Sequence, residues 1–362
     1  MFARMTLAAI IAVLSIALTA STTAQEYSDG RPATTLRMDA TDHGIVLRYG
    51  DGPDDCDILG ARDAWVFEAD GSYYMHYDAA GPNGWLSSLA VSEDLISWEK
   101  RGPILDFGLP GEDDAKSASY GVTYYDGTVW HMFYLGTPNV SGPPDLVPSF
   151  PYLTMKAKGS SPAGPWIKQP SVVPFRTMSN TYYSITASPG QVIKNGGEYL
   201  QFFSATARKP GNPCVQRTLG VARTRDLDGV WTVDPEPVVP IEEQIENSTL
   251  HYEESNETWF LFTNHIGIDG GEFTDSVWVY WSKDLNQWDA ENKAVVLDSQ
   301  NCTWSDKCIG LPSVVEVGDR LALIYDAPGG ESTSHMRRNI GLAWLELPLS
   351  PPTESNSSEN DR

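Results

Sequence analysis

The chain has 362 residues, with 48 acidic against 25 basic side chains and a formal charge of −23 at pH 7. Such a field repels nucleic acid and anionic membrane, and no basic stripe interrupts it, so neither is expected as a partner. Past the N-terminal apolar run no segment approaches a membrane span.

Residues 1–24 read as a signal peptide: Arg4, an apolar run from Leu7 to Ala20, then small polar residues ending at Ala24. The mature protein is therefore expected to be exported, secreted or periplasmic, with an uncleaved anchor as the alternative. Export makes disulfides chemically reasonable. Cys302 with Cys308 is the first expected bridge and Cys56 with Cys214 the second, while zinc is disfavoured because no CxxC or HxxxH pair occurs. Asn139, Asn247, Asn256, Asn301 and Asn356 head glycosylation sequons. The polar, Pro/Ser-rich residues 348–362 read as a disordered tail, leaving one domain over 25–347.

In chain order, "GIVLRYG" (44–50) is an isolated strand, and a hairpin follows in "ARDAWVFEADGSYYMHYDA" (61–79). Further hairpins lie at 122–136, 191–205, 249–265 and 313–327, most turning on Gly and Asp, which tolerate positive φ. Each is followed by a third apolar strand. Four of these strands run into a Trp-ended phrase: "SEDLISW" at Trp98, "SSPAGPW" at Trp166, "TRDLDGVW" at Trp231 and "SKDLNQW" at Trp288. The tryptophans are expected to pack blades. Five such units predict an all-β, five-bladed β-propeller of four-stranded antiparallel blades, with residues 44–50 closing the ring beside the last unit. The ring buries its own faces, so a monomer is expected.

In a propeller the entry ends of the innermost strands converge on the axis. Those segments are "GARDAW" (60–65), "KSASYG" (116–121), "ITASPG" (185–190), "QIENST" (244–249) and "CIGLPS" (308–313). They deliver two carboxylates, Asp63 and Glu246. Two such groups suit acid–base chemistry, one protonated while the other is charged, if their surroundings push their pKa values apart.

With these motifs the chain resembles the five-bladed propeller glycoside hydrolases of families 43, 32, 62 and 117. The phrase "RDAWVFEADGSYYMHYDA" is similar to the blade-one phrase of family 43, and "IENSTLHYEESNETWFLF" to its blade-four phrase. The resemblance implies Asp63 as general base, or as nucleophile as in retaining relatives, and Glu246 as general acid, with inversion expected from the likeness to family 43. A pocket at one end of the axis suggests exo action, whereas an open cleft would allow endo action. Family 43 also has an Asp at the head of blade three. Here that slot holds Ser188 or Thr186, and blade two offers Ser117 and Ser119. A third acid is expected from a loop, best from Glu112, Asp113 and Asp114. In family 117 a histidine is implicated in proton donation, which keeps His265 and His335 in play.

Arg62 and Lys116 are the candidate cations. Ser119, Ser188, His265, His335, Arg337 and Trp85 join Arg62 as candidate substrate-binding residues, Trp85 and Tyr182–Tyr183 as loop aromatics able to stack on a sugar. His76 and His131 read as packed within blades. The expected function is a secreted glycoside hydrolase acting on plant-type or algal poly- or oligosaccharides; the alternative is a non-catalytic carbohydrate-binding propeller. No cofactor is expected to be required, with a structural calcium ion admissible in the central channel.

Overall fold

The computed structural model describes residues 27–208, 215–268 and 271–353. The export signal, Cys214 and residues 354–362 lie outside the described residues.

Alternating residues and Gly/Asp turns produce the expected antiparallel blades. Blade one comprises Gly60–Ala69, Ser72–Gly81, Gly84–Ser92 and Glu99–Pro103. Blade two comprises Ser117–Tyr125, Trp130–Thr137, Leu153–Gly159 and Trp166–Lys168. In blade three the inner strand is split into Thr186–Ser188 and Val192–Asn195, followed by Glu198–Ala207, Gln216–Thr224 and Thr232–Val233. Blade four comprises Ile245–Glu253, Thr258–Gly267, Phe273–Ser282 and Lys293–Leu297. Blade five supplies only Gly310–Val317, Arg320–Ala327 and Asn339–Glu346; Thr41–Leu47 pairs antiparallel with the last of these as its outer strand. The early strand thus closes the ring.

Because side chains alternate across a strand, each blade faces two neighbours. In blade three, Phe202 packs with Leu261 and Tyr280 of blade four, whereas the next residue, Phe203, packs with Phe133 of blade two. In blade five, Leu321 and Leu323 meet Phe260 and Phe262 of blade four, and Ala322 and Ile324 meet Val66 and Met75 of blade one. Trp166 and Trp231 are buried in the two cores flanking blade two, and Trp98 and Trp288 pack against the edges of theirs. The body continues past residue 347, since Leu349 is buried in the core between blades four and five and donates its N–H to Glu253.

The expected Cys302–Cys308 bridge is not formed. Both cysteines are buried and unbonded: Cys302 Sγ lies 3.6 Å from the Tyr325 hydroxyl, whereas Cys308 Sγ takes Arg338 Nη2 at 3.0 Å. The short loop between them sends one thiol into an interblade core and the other toward the axis. The second expected bridge falls on Cys214, outside the described residues.

Candidate active site

Every inner strand carries one extra residue near its axial end. Pairing with the second strand slips between Arg62 and Trp65, Ser119 and Gly121, Ser188 and Val192, Glu246 and Ser248, and Gly310 and Ser313. Such bulges bend a strand and re-aim its side chains. In three blades the inserted residue is a non-glycine in the left-handed region: Asp63 (φ 50°), Tyr120 (φ 41°) and Asn247 (φ 54°). The two carboxylates are therefore not equivalent by blade. Asp63 is itself the bulged residue, whereas Glu246 precedes its own.

A side chain from the preceding blade accepts the N–H that each bulge frees. Asp63 donates to Asp326 Oδ2 of blade five at 2.7 Å, Tyr120 donates to Asp78 Oδ1 of blade one, and Asn247 donates to Ser204 Oγ of blade three at 2.9 Å. The blade-three bulge follows Ser188 as Pro189, which has no N–H to donate, and the corresponding slot of blade two is apolar Leu135. Strain at the axis is thus held by matched partners.

These bulges surround a cavity of about 170 Å³. Asp63, Glu246, Arg62, Ser119, Ser188, His335 and Trp85 line it, as expected, together with Asp78, Tyr120, Tyr152, Arg217, Glu272 and Arg338. Other expectations fail. His265 is fully buried behind the wall, stacked on Trp278 at 4.0 Å and bonded to Arg31 and Asp275. A register slip between His265 and Ile266 turns Ile266 to the cavity instead. Arg337 does not line the cavity; it takes φ 58° and anchors through its N–H to the Leu59 carbonyl, so Arg338 points inward. Lys116 is exposed and outside the cavity, and Asp114 is taken up by Lys168 and Tyr134 away from the axis. Tyr183 is buried in a core and the Tyr182 hydroxyl donates to Asp234 O, so neither is a sugar platform. Trp85 is only 1% exposed; its ring lies under the Arg62 guanidinium at 5.5 Å, making it a prop for that charge. His76 and His131 are packed within blades as expected.

Two ionic groups face each other in the cavity. Arg62 Nη2 meets Asp63 Oδ1 at 3.0 Å, and Arg62 Nη1 meets His335 Nδ1 at 2.8 Å. Burial pushes the Asp63 carboxyl up, Arg62 pulls it down and Asp326 pushes it up, leaving it at about 6. Enclosure of the His335 ring, then the charges of Arg62, Arg338 and Arg217, lower it to about 3, although one edge stays exposed at the mouth. His335 is thus a neutral acceptor of the Arg62 N–H. On the other side, Arg217 of blade three reaches Glu246 through Nη1 and Glu272 through Nε and Nη2, the last two at 3.1 and 2.8 Å. One arginine thus serves two carboxylates, Glu246 and Glu272.

Asp78 and Asp326 were legible and missed: "YDAAG" (77–81) and "YDAPG" (325–329) repeat one phrase in adjacent blades. Nothing in the sequence around Arg217 marks it. Among the described residues no group of three or more His, Cys, Asp or Glu side chains is arranged to hold a metal ion. The axial carboxylates are bonded by arginines and backbone N–H groups, so the donor set does not fit the admissible calcium.

No family model and no curated protein matches the chain in sequence. Solved structures do match its fold. A protein solved as an RGII complex shares 15% identity at a TM-score of 0.67, covering 88% of this chain and 96% of that one. The catalytic domain of a Coprinopsis cinerea family 62 α-L-arabinofuranosidase shares 13% at 0.60, covering 86% and 97%. A family 117 glycoside hydrolase of the marine bacterium Zobellia galactanivorans shares 17% at 0.59, covering 86% and 91%. The fold is that of the five-bladed propeller glycoside hydrolases.

Proposed function

We propose that the chain is an exported glycoside hydrolase that releases a terminal sugar from a poly- or oligosaccharide by inversion. The observation that carries this reading is the meeting of Asp63 and Glu246, from blades one and four, on one axial cavity. Asp63, with its pKa near 6, is ionised at neutral pH yet basic enough to accept a proton, as a general base requires. Glu246 is the acid, its proton passing to the leaving oxygen while Asp63 takes one from the attacking water. One C–O bond breaks as another forms, and the product is a free reducing sugar. The convergence of the lining residues on one axial pocket supports exo action.

The absence of a blade-three carboxylate keeps a carbohydrate-binding propeller as the second reading. Incubation with chromogenic glycosides and plant and algal oligosaccharides, read as released reducing sugar, separates the two. Release of monosaccharide is expected; glycan binding without release would favour the binding module.

A further inference from the structure

The cavity contains a carboxyl that has no cation of its own. Around the Asp63 half stand three carboxyls, Asp63, Asp78 and Asp326, and two guanidiniums. Arg62 is bonded to Asp63 and Arg338 to Asp326 at 2.6 Å; among the described residues no cation is bonded to Asp78. Asp78 is 3% exposed and sits directly opposite Arg62 across the blade-one ladder, yet Arg62 turns to Asp63 and His335. The groups facing Asp78 from its neighbours are Arg62 and Asp63 on the inner strand, Tyr120 of blade two, and Asp326 with Arg338 of blade five.

We propose that Asp78 carries a proton at neutral pH and acts, as a neutral carboxylic acid, as the positioning residue that leaves Arg62 to Asp63. The proposal rests on Asp63 being the base. Its bond to the Tyr120 N–H does not require charge, because the neutral Ser204 hydroxyl makes the same bond to Asn247. An ionised Asp78 would compete for the guanidinium opposite it and draw Arg62 off Asp63. Burial, then the charge of Asp63, push Asp78 well above the ordinary carboxylate range, in the same direction. Asp78 thereby acts on the Asp63 side of the cavity, from the second strand of the same blade.

The test uses Asp78→Asn, which keeps an acceptor for Tyr120 and a neutral donor, beside Asp78→Ala, which keeps neither. A carboxyl whose folded pKa exceeds its unfolded value contributes stability in acid that is lost as pH rises through the folded value. The Tm of the wild type should therefore fall relative to Asp78→Asn between pH 5 and pH 9. In activity, Asp78→Asn should lose about tenfold in kcat/KM at neutral pH and Asp78→Ala at least tenfold more, with the alkaline limb of the profile displaced upward in Asp78→Asn. A loss in Asp78→Asn reaching the 10²–10⁴-fold scale of a proton-transfer residue would overturn the proposal. So would a Tm gap that is constant or grows against Asp78→Asn toward alkaline pH, or failure of Asp78→Asn to fold. The Tm comparison needs no substrate, so it stands even if the chain hydrolyses nothing.

Discussion

Asp63 can accept a proton only while ionised, so its environment fixes the acid side of the pH dependence. With a pKa near 6, kcat/KM should fall about tenfold per pH unit below that value, read on any substrate the screen yields. The same raised pKa makes folding less favourable, not more, as pH climbs through about 6. His335 is held neutral at the pH of that limb, so His335→Asn should raise KM by loosening Arg62 while the acid limb persists. Disappearance of a limb in that variant would make His335 a proton carrier and contradict the present roles. Sequence placed Asp63, Glu246 and five other lining residues correctly because strand alternation and repeat position are periodic properties. It misplaced His265 and Arg337 because each lies next to an irregularity, a register slip in one case and a left-handed residue in the other, and one residue of slip reverses a side chain's direction.

The bulges are the elements on which the site is built, and their caps are its hidden partners. Hairpin turns could be read from Gly and Asp, but a bulge has no comparable composition, and only Pro189 in blade three gave a trace of one. The outer elements lend themselves to direct tests. Deleting residues through Leu47 removes the fourth strand of blade five and uncovers Leu342 and Ile340 beside it, so the truncated chain should aggregate or lose its cooperative melt. Arg31, at 5% exposure, is bonded to Asp29, Asp275, His265 Nδ1 and the Ile266 carbonyl, tying the N-terminal segment to the strand that lines the cavity. Removing one partner of such a buried pair costs about 3–5 kcal/mol. Arg31→Ala should show a Tm drop of that origin; an unchanged Tm would mean the segment is only loosely docked. Thiol counting on denatured protein should find Cys302 and Cys308 both reactive, since they face different neighbours, and their protection as a pair would contradict the packing described.

At the scale of the molecule, interblade cores and a closing strand make a closed ring whose inner strands converge on the axial cavity. That architecture was legible because each blade repeats the same sentence of strands, turns and tryptophan; the insertion that every inner strand carries near the axis was not, because it has no compositional mark. The central claim is that Asp63 and Glu246 exchange protons with a sugar held between them. It is tested most directly by measuring kcat for wild type, Asp63→Asn and Glu246→Gln on one natural oligosaccharide and on the matching nitrophenyl glycoside. Both variants should lose about 10²–10⁴-fold on the oligosaccharide with glycan binding retained, and only Glu246→Gln should recover on the nitrophenyl substrate, whose leaving group departs without a proton. Near-normal turnover by both variants on both substrates would contradict the account.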